Sequence, residues 1–286
     1  MEILLNIEPL VSQRFIAKAV ASLPEVREAF ESETVVINAG TTSVLVFYEL
    51  TGGLPEGAMA AGFVVGKGLC SDAQMRAFLL KHGYGASWVF KKGMLLQEYK
   101  LQRVVREFSE KDVFIKGGNA VDPTGLAGGF LASETYGTIQ LAMPVILAKG
   151  AHLIVPISLQ KGILGSVMKN CQKMGIRRID WSIGLPIGYT PIVGRTVTEV
   201  ETFRILFGLD AIPVGSGDLL GKDGSETFYV TGRTAQIDRA LDMIERCRNE
   251  IDTHPVQSSA PLCGECRHWT CVEKNFNFER YAEAGK

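Results

Sequence analysis

Between residues 10 and 32 apolar positions return about once per helical turn, at Phe15, Ala19, Leu23 and Phe30, which predicts a helix with a break at Pro24. The period then changes. The β-branched run 34–37 ends in a small, hydroxyl-rich turn, Asn38-Ala39-Gly40-Thr41-Thr42-Ser43, and an apolar helix pattern follows over 43–50. The same alternation continues along the first half of the chain. It predicts strands over 58–66, 88–90, 113–115 and 153–155, and helices over 73–81, 95–108 and 137–149, the second of these with Leu101, Val104, Val105 and Phe108 facing inward. Strands alternating with helices imply an α/β fold, a mostly parallel sheet with helices on both faces.

After about residue 166 the rhythm differs. Strands are expected over 179–183, 211–214 and 227–230, with helices over 196–207 and 234–249. In the last helix Ile237, Ala240, Leu241 and Ile244 share one face, and Thr234 is a plausible N-cap. The order β-α-β-β-α suits a small ferredoxin-like α+β lobe, with the glycine-rich stretch 215–225 as a turn between its strands. Pro, Ser and Gln beyond Asp252 lead into a Cys-rich C-terminal tail. The expected division is an α/β ligand-binding domain over 1–175, the lobe over 176–252 and the tail over 253–286.

Two strand ends carry candidate chemistry. In open α/β sheets ligands sit beyond the carboxyl ends of strands. There Gly40 permits close backbone approach, and Thr41, Thr42 and Ser43 place hydroxyls at a helix N-terminus that favours an anion. The bland alternative is that these hydroxyls serve only as caps. The second end, Lys116-Gly117-Gly118-Asn119-Ala120-Val121-Asp122-Pro123, offers a cation for a phosphate, with Asn119 to orient hydroxyls and Asp122 to move protons. Its bland alternative is a tight turn of residues chosen for their backbone angles.

Together the two segments resemble the superfamily of ribose-5-phosphate isomerase, glucosamine-6-phosphate deaminase, the CoA transferases and the effector domains of sugar-responsive repressors. The stretch Val36-Ile37-Asn38-Ala39-Gly40-Thr41-Thr42-Ser43 is similar to the family's first-strand phosphate loop. Gly117-Gly118-Asn119-Ala120-Val121-Asp122-Pro123 is similar to a later loop, and Gly137-Thr138 with its following helix to a third segment. The resemblance covers about residues 30–160 and implies a phosphorylated or CoA-linked small anionic metabolite. On the isomerase pattern an acidic pair falls at Asn119 and Ala120, neither of which is a carboxylate, so Asp122 is the acid left in that loop. A CoA transferase needs a nucleophilic glutamate, for which Glu134 is the candidate; its bland role is a first-turn acid facing a helix dipole.

In the tail, Cys263, Cys266 and Cys271 form C-x2-C-x4-C with His268 inside it, a spacing that suits Zn²⁺ or, with a further cysteine, an iron–sulfur cluster. His254 or Cys247 is an alternative further ligand. Composition changes the picture little. Of 286 residues 46% are apolar, which excludes a disordered chain, and 30 Lys+Arg against 31 Asp+Glu give a net charge of −1, with no bias toward nucleic acid or anionic membrane. The N-terminal ten residues make a poor secretory signal, and Pro144, Lys149 and His152 interrupt the longest apolar stretch, so a soluble cytoplasmic protein is expected. Assembly into a homo-oligomer is left open. The chain is expected to bind an anionic metabolite, as a sensor or as an isomerase- or transferase-type enzyme; the alternative is a metal-binding redox or scaffold protein acting through its tail.

Overall fold

A computed structural model describes residues 1–55, 60, 62–65, 68–70, 87–134, 137–182, 184–217 and 224–250. The chain begins with β1 (Glu2–Ile7), α1 (Pro9–Ser22), α2 (Pro24–Ser32), β2 (Thr34–Asn38) and α3 (Ser43–Thr51). The short strands β3 (Phe63–Val65) and β4 (Gly68–Cys70) precede β5 (Ser87–Lys91), β6 (Met94–Leu95), α4 (Leu101–Glu107) and β7 (Val113–Ile115). Next come β8 (Ala120–Val121), β9 (Ala127–Leu131), α5 (Thr138–Lys149), β10 (His152–Pro156) and α6 (Val167–Lys173). The chain continues through β11 (Gly188–Ile192), β12 (Arg195–Val197), α7 (Glu199–Phe207), β13 (Asp210–Gly217), β14 (Ser225–Thr231) and α8 (Thr234–Asn249).

The central sheet has the order β12-β10-β7-β2-β5-β6. Its four strands from β12 to β2 are parallel, while at the far edge β5 pairs antiparallel with β2 and β6 antiparallel with β5. Both faces are covered. Val35 and Ile37 of β2 pack with α1, α2 and α3, whereas Val36 between them packs with Leu101 and Val105 of α4 and Ile139, Ala142 and Ile146 of α5. A strand buried on both sides needs continuous apolar character, which the 34–37 run has. Among the described residues no helix is long and apolar enough to cross a membrane.

A second sheet, β1-β14-β13, is antiparallel and packs against α7 and α8. Its first strand comes from the N-terminus and not from the expected 179–183, of which residues 179–182 follow a 3-10 turn at Ile176–Arg178 and belong to none of the strands. Ile3, Leu5 and Ile7 alternate inward along β1, and this period-2 face completes the lobe. The sheets therefore do not follow a division at residue 175: β1 belongs with β13 and β14, and β12 extends the central sheet.

Other departures have local causes. The expected helix over 95–108 starts only at Leu101, because Met94 and Leu95 fold back on Phe90 and Lys91. The turn between them, Lys92-Gly93, has positive φ at both residues (51° and 74°), the geometry of a tight hairpin. The helix expected from 196 starts at Glu199, since Thr196 and Val197 pair with β10 and Thr198 closes a capping box with Glu201. Arg233, not Thr234, is the N-cap of α8, and its N–H donates to the Gln236 side chain. Leu241 is exposed; Cys247 takes the next inward position after Ile244. The glycine-rich 127–131 stretch is a strand in a third sheet, β11-β9-β8. Its Gly128 is required by packing: a Cβ there would stand 2.6 Å from the Tyr189 ring. The expected helix over 73–81 and the 253–286 tail lie outside the described residues.

Candidate anion site at the β2 and β7 strand ends

From the end of β2 the chain turns into α3 on one face of the sheet. From the end of β7 it passes through the β8–β9 hairpin to α5 on the other face. Adjacent parallel strands whose connections leave to opposite faces open a crevice between their carboxyl ends. The Gly40 turn and the Lys116 loop follow those two strand ends. They meet directly, since Lys116 Nζ donates to Asn38 Oδ1 at 2.8 Å.

The Gly40 turn carries hydroxyls that the fold leaves unused. Thr42 occupies the N-cap position of α3, but its backbone is helical and its side chain makes no capping bond. Ser43 is fully buried and its Oγ has no hydrogen-bond partner among the described residues. A buried hydroxyl left unpaired costs about 1–3 kcal/mol, and the capping explanation does not account for it. The glycines keep space beside it: a Cβ on Gly40 would stand 3.5 Å from Ser43 Oγ, and one on Gly117 3.8 Å away. Within the turn the Val44 and Leu45 N–H groups already donate to Gly40 O and Thr42 O, at 3.0 and 3.1 Å. Gly40 and Thr41 are half-buried, so the turn is not sealed behind side chains.

Two lysines supply charge. Half-buried Lys116 has its pKa lowered to about 8, first by burial and then by the positive charge of Lys161. Lys161 stands on the 3-10 turn Leu159–Lys161 after β10 and donates to Gly118 O at 3.0 Å; burial lowers its pKa too. Among the described residues neither ammonium has a carboxylate within ion-pair distance. Both rest on neutral oxygens.

The other expected residues do different work. Gly118 is close-packed, with a hypothetical Cβ 2.8 Å from Ile157 Cδ1. Asn119 pins the β8–β9 hairpin: its Oδ1 accepts from Phe130 N–H at 3.0 Å, and its N–H donates to Gly128 O at 2.7 Å. Asp122 accepts four hydrogen bonds, from Thr124 N–H and Oγ1, Leu126 N–H and Val167 N–H. Burial pushes its pKa up, but these bonds together outweigh it and hold the carboxyl below its ordinary value. A carboxylate so occupied organises a loop and is a weak base. Glu134 lies on the surface after β9, paired with Arg177 at 2.7 Å. Neither acid is brought to the Ser43 crevice by any contact among the described residues.

Pattern reading misses three charged residues. Lys161 is one. The others are Glu199, fully buried at the start of α7, and Glu226 of β14, also buried. Glu199 accepts from Ser12 Oγ in a short hydrogen bond and from Leu159 N–H at 3.0 Å. Burial, then the neighbouring Glu199 charge, raises the Glu226 pKa to about 9. One 3-10 turn thus touches both clusters, Leu159 bonding Glu199 and Lys161 bonding Gly118. Periodicity marks Glu226 only as a strand position, and its partner lies in another element.

Among the described residues no group of three or more His, Cys, Asp or Glu is arranged to hold a metal. Cys263, Cys266, His268 and Cys271 lie outside the described residues. Cys247 is fully buried in the lobe core, where burial raises its thiol to about 11, so it packs as a neutral side chain. Comparison with protein-family models, curated proteins and solved structures returns no match for this chain.

Proposed function

We propose that the chain binds a small anionic metabolite, phosphorylated or CoA-linked, at the carboxyl ends of β2 and β7. The observation that carries this reading is a buried, unpaired hydroxyl, Ser43 Oγ, at the head of α3 beside a loop whose lysine has no carboxylate partner among the described residues. A dianion would satisfy the Ser43 hydroxyl, Lys116 and Lys161 together. The resemblance of the Gly40 and Gly117 segments to the sugar-phosphate isomerase and CoA transferase superfamily supports the same ligand class. Because Asp122 and Glu134 are engaged elsewhere, binding and not turnover by those acids is the core of the reading.

The test is a thermal-shift series with inorganic phosphate, sugar phosphates and CoA esters, with neutral sugars as controls. A ligand at 100 times its Kd adds about 2.7 kcal/mol, or about 5–10 °C in Tm. Ser43→Ala gives a characteristic double signature. Without ligand it is as stable as the parent or about 1 kcal/mol more stable, because an unpaired buried hydroxyl is removed, yet its ligand-induced shift is smaller. Equal shifts in parent and variant, or with neutral sugars, overturn the proposal.

A further inference from the structure

We infer that Lys116 is a nucleophilic amine that captures the carbonyl group of an anionic aldehyde or ketone as an imine. The inference rests on the anion-binding reading above and assigns that site a substrate class, a carbonyl compound bearing a phosphate or similar anion.

A lysine that only attracts an anion works best fully charged. Lys116 is placed against that. Its Nζ is held by an amide oxygen, Asn38 Oδ1, at 2.8 Å. An uncharged amide oxygen favours the ammonium far less than a carboxylate would, which would lock the proton on. Asn38 is itself buried and fixed, its Nδ2 donating to Ser87 Oγ at 3.2 Å, so the amine is positioned rigidly at the strand end. The charged group that bears on it is a second cation, Lys161, on the turn after β10. No carboxylate from any packed element pairs with either lysine among the described residues. Desolvation beside another cation is a standard means of freeing a lysine lone pair. With its pKa near 8, about a tenth of Lys116 is neutral at pH 7, against well under a thousandth for an ordinary lysine.

Ser43 completes the arrangement. Its Oγ has no partner among the described residues, and lies near Gly117, the residue after Lys116. A hydroxyl there can donate to the carbonyl oxygen as it gains charge. The step balances without oxidant or reductant. The amine lone pair attacks the carbonyl carbon and a carbinolamine forms. Its C–O bond then breaks, and the oxygen leaves as water with the two protons that the amine gave up.

The experiment treats the full chain with glycolaldehyde phosphate and cyanoborohydride, which reduces an imine to a stable secondary amine, and maps the adduct by peptide mass spectrometry. One adduct per chain is expected, at Lys116, formed at least about tenfold faster than at surface lysines such as Lys91 or Lys92. Its rate rises with pH through a midpoint near 8, inorganic phosphate slows it, and glycolaldehyde without phosphate reacts more slowly. Lys116→Arg abolishes the adduct, and the wild-type map decides the matter should that variant fail to fold. Labelling spread evenly over surface lysines, or confined to Lys161, overturns the inference while phosphate-induced stabilisation of the wild type still upholds the anion site. Absence of phosphate-induced stabilisation instead removes the anion site on which the inference stands.

Discussion

Phe203→Ala lowers stability by about 3–5 kcal/mol, the largest effect expected of any single change described for this protein. Phe203 is fully buried in α7, with its ring centroid 5.0 Å from that of Phe15 on α1 and 5.9 Å from that of Phe228 on β14. Phe15 also stacks on Phe207 at 6.1 Å. The side chain therefore joins the N-terminal helix, the helix following β12 and the antiparallel sheet. Truncation removes the transfer energy of a phenyl ring and leaves a cavity that three rigid elements cannot close. Urea unfolding measures it. A loss below about 1 kcal/mol would mean that α1, α7 and the antiparallel sheet do not share this core.

Glu226→Gln raises stability at neutral and alkaline pH. The folded-state pKa of Glu226, about 9, lies above its ordinary value of 4.5, so between those values the folded protein holds a proton that the unfolded chain has released. Stability tied to that proton is complete below about pH 4.5 and falls as pH rises toward 9. Gln has the shape of the neutral acid and does not ionise, so the variant keeps the packing and loses the slope. The gain at pH 7 is of the order of 1–3 kcal/mol, growing toward pH 9. Chemical denaturation of parent and variant from pH 5 to 9 checks this. Parallel curves would show that Glu226 and Glu199 are not the buried pair seen here.

These two carboxyls also mark where reading from sequence stops. The Gly40 turn and the Lys116 loop are visible in the chain because each is a contiguous run placed just after a strongly β-branched strand. The helices over 9–32 and 234–249 follow equally from periodicity. By contrast Lys161 reaches Gly118 across 43 residues, and Glu226 meets Glu199 from a different sheet. No local pattern encodes such meetings. Asp122 shows the complementary error: its residue type suits a base, and only the four hydrogen bonds converging on it show that it is already spent on its loop. Gly128 and Gly129 suggest a turn by composition, yet they form a strand because Tyr189 and Ile192 occupy the space a side chain would need. In β1 exposed Leu4 interrupts the polar face and blurs an alternation that Ile3, Leu5 and Ile7 otherwise carry.

Binding at these strand ends requires an anion at the head of α3. A crystal structure of the full chain grown with inorganic phosphate measures this most directly. The expected result is phosphate in the crevice between the Gly40 turn and the Lys116 loop, with oxygens about 2.7–3.2 Å from Ser43 Oγ and Lys116 Nζ. Phosphate bound only elsewhere, with the Ser43 hydroxyl still unpaired or covered by neighbouring side chains at saturating concentration, would contradict it.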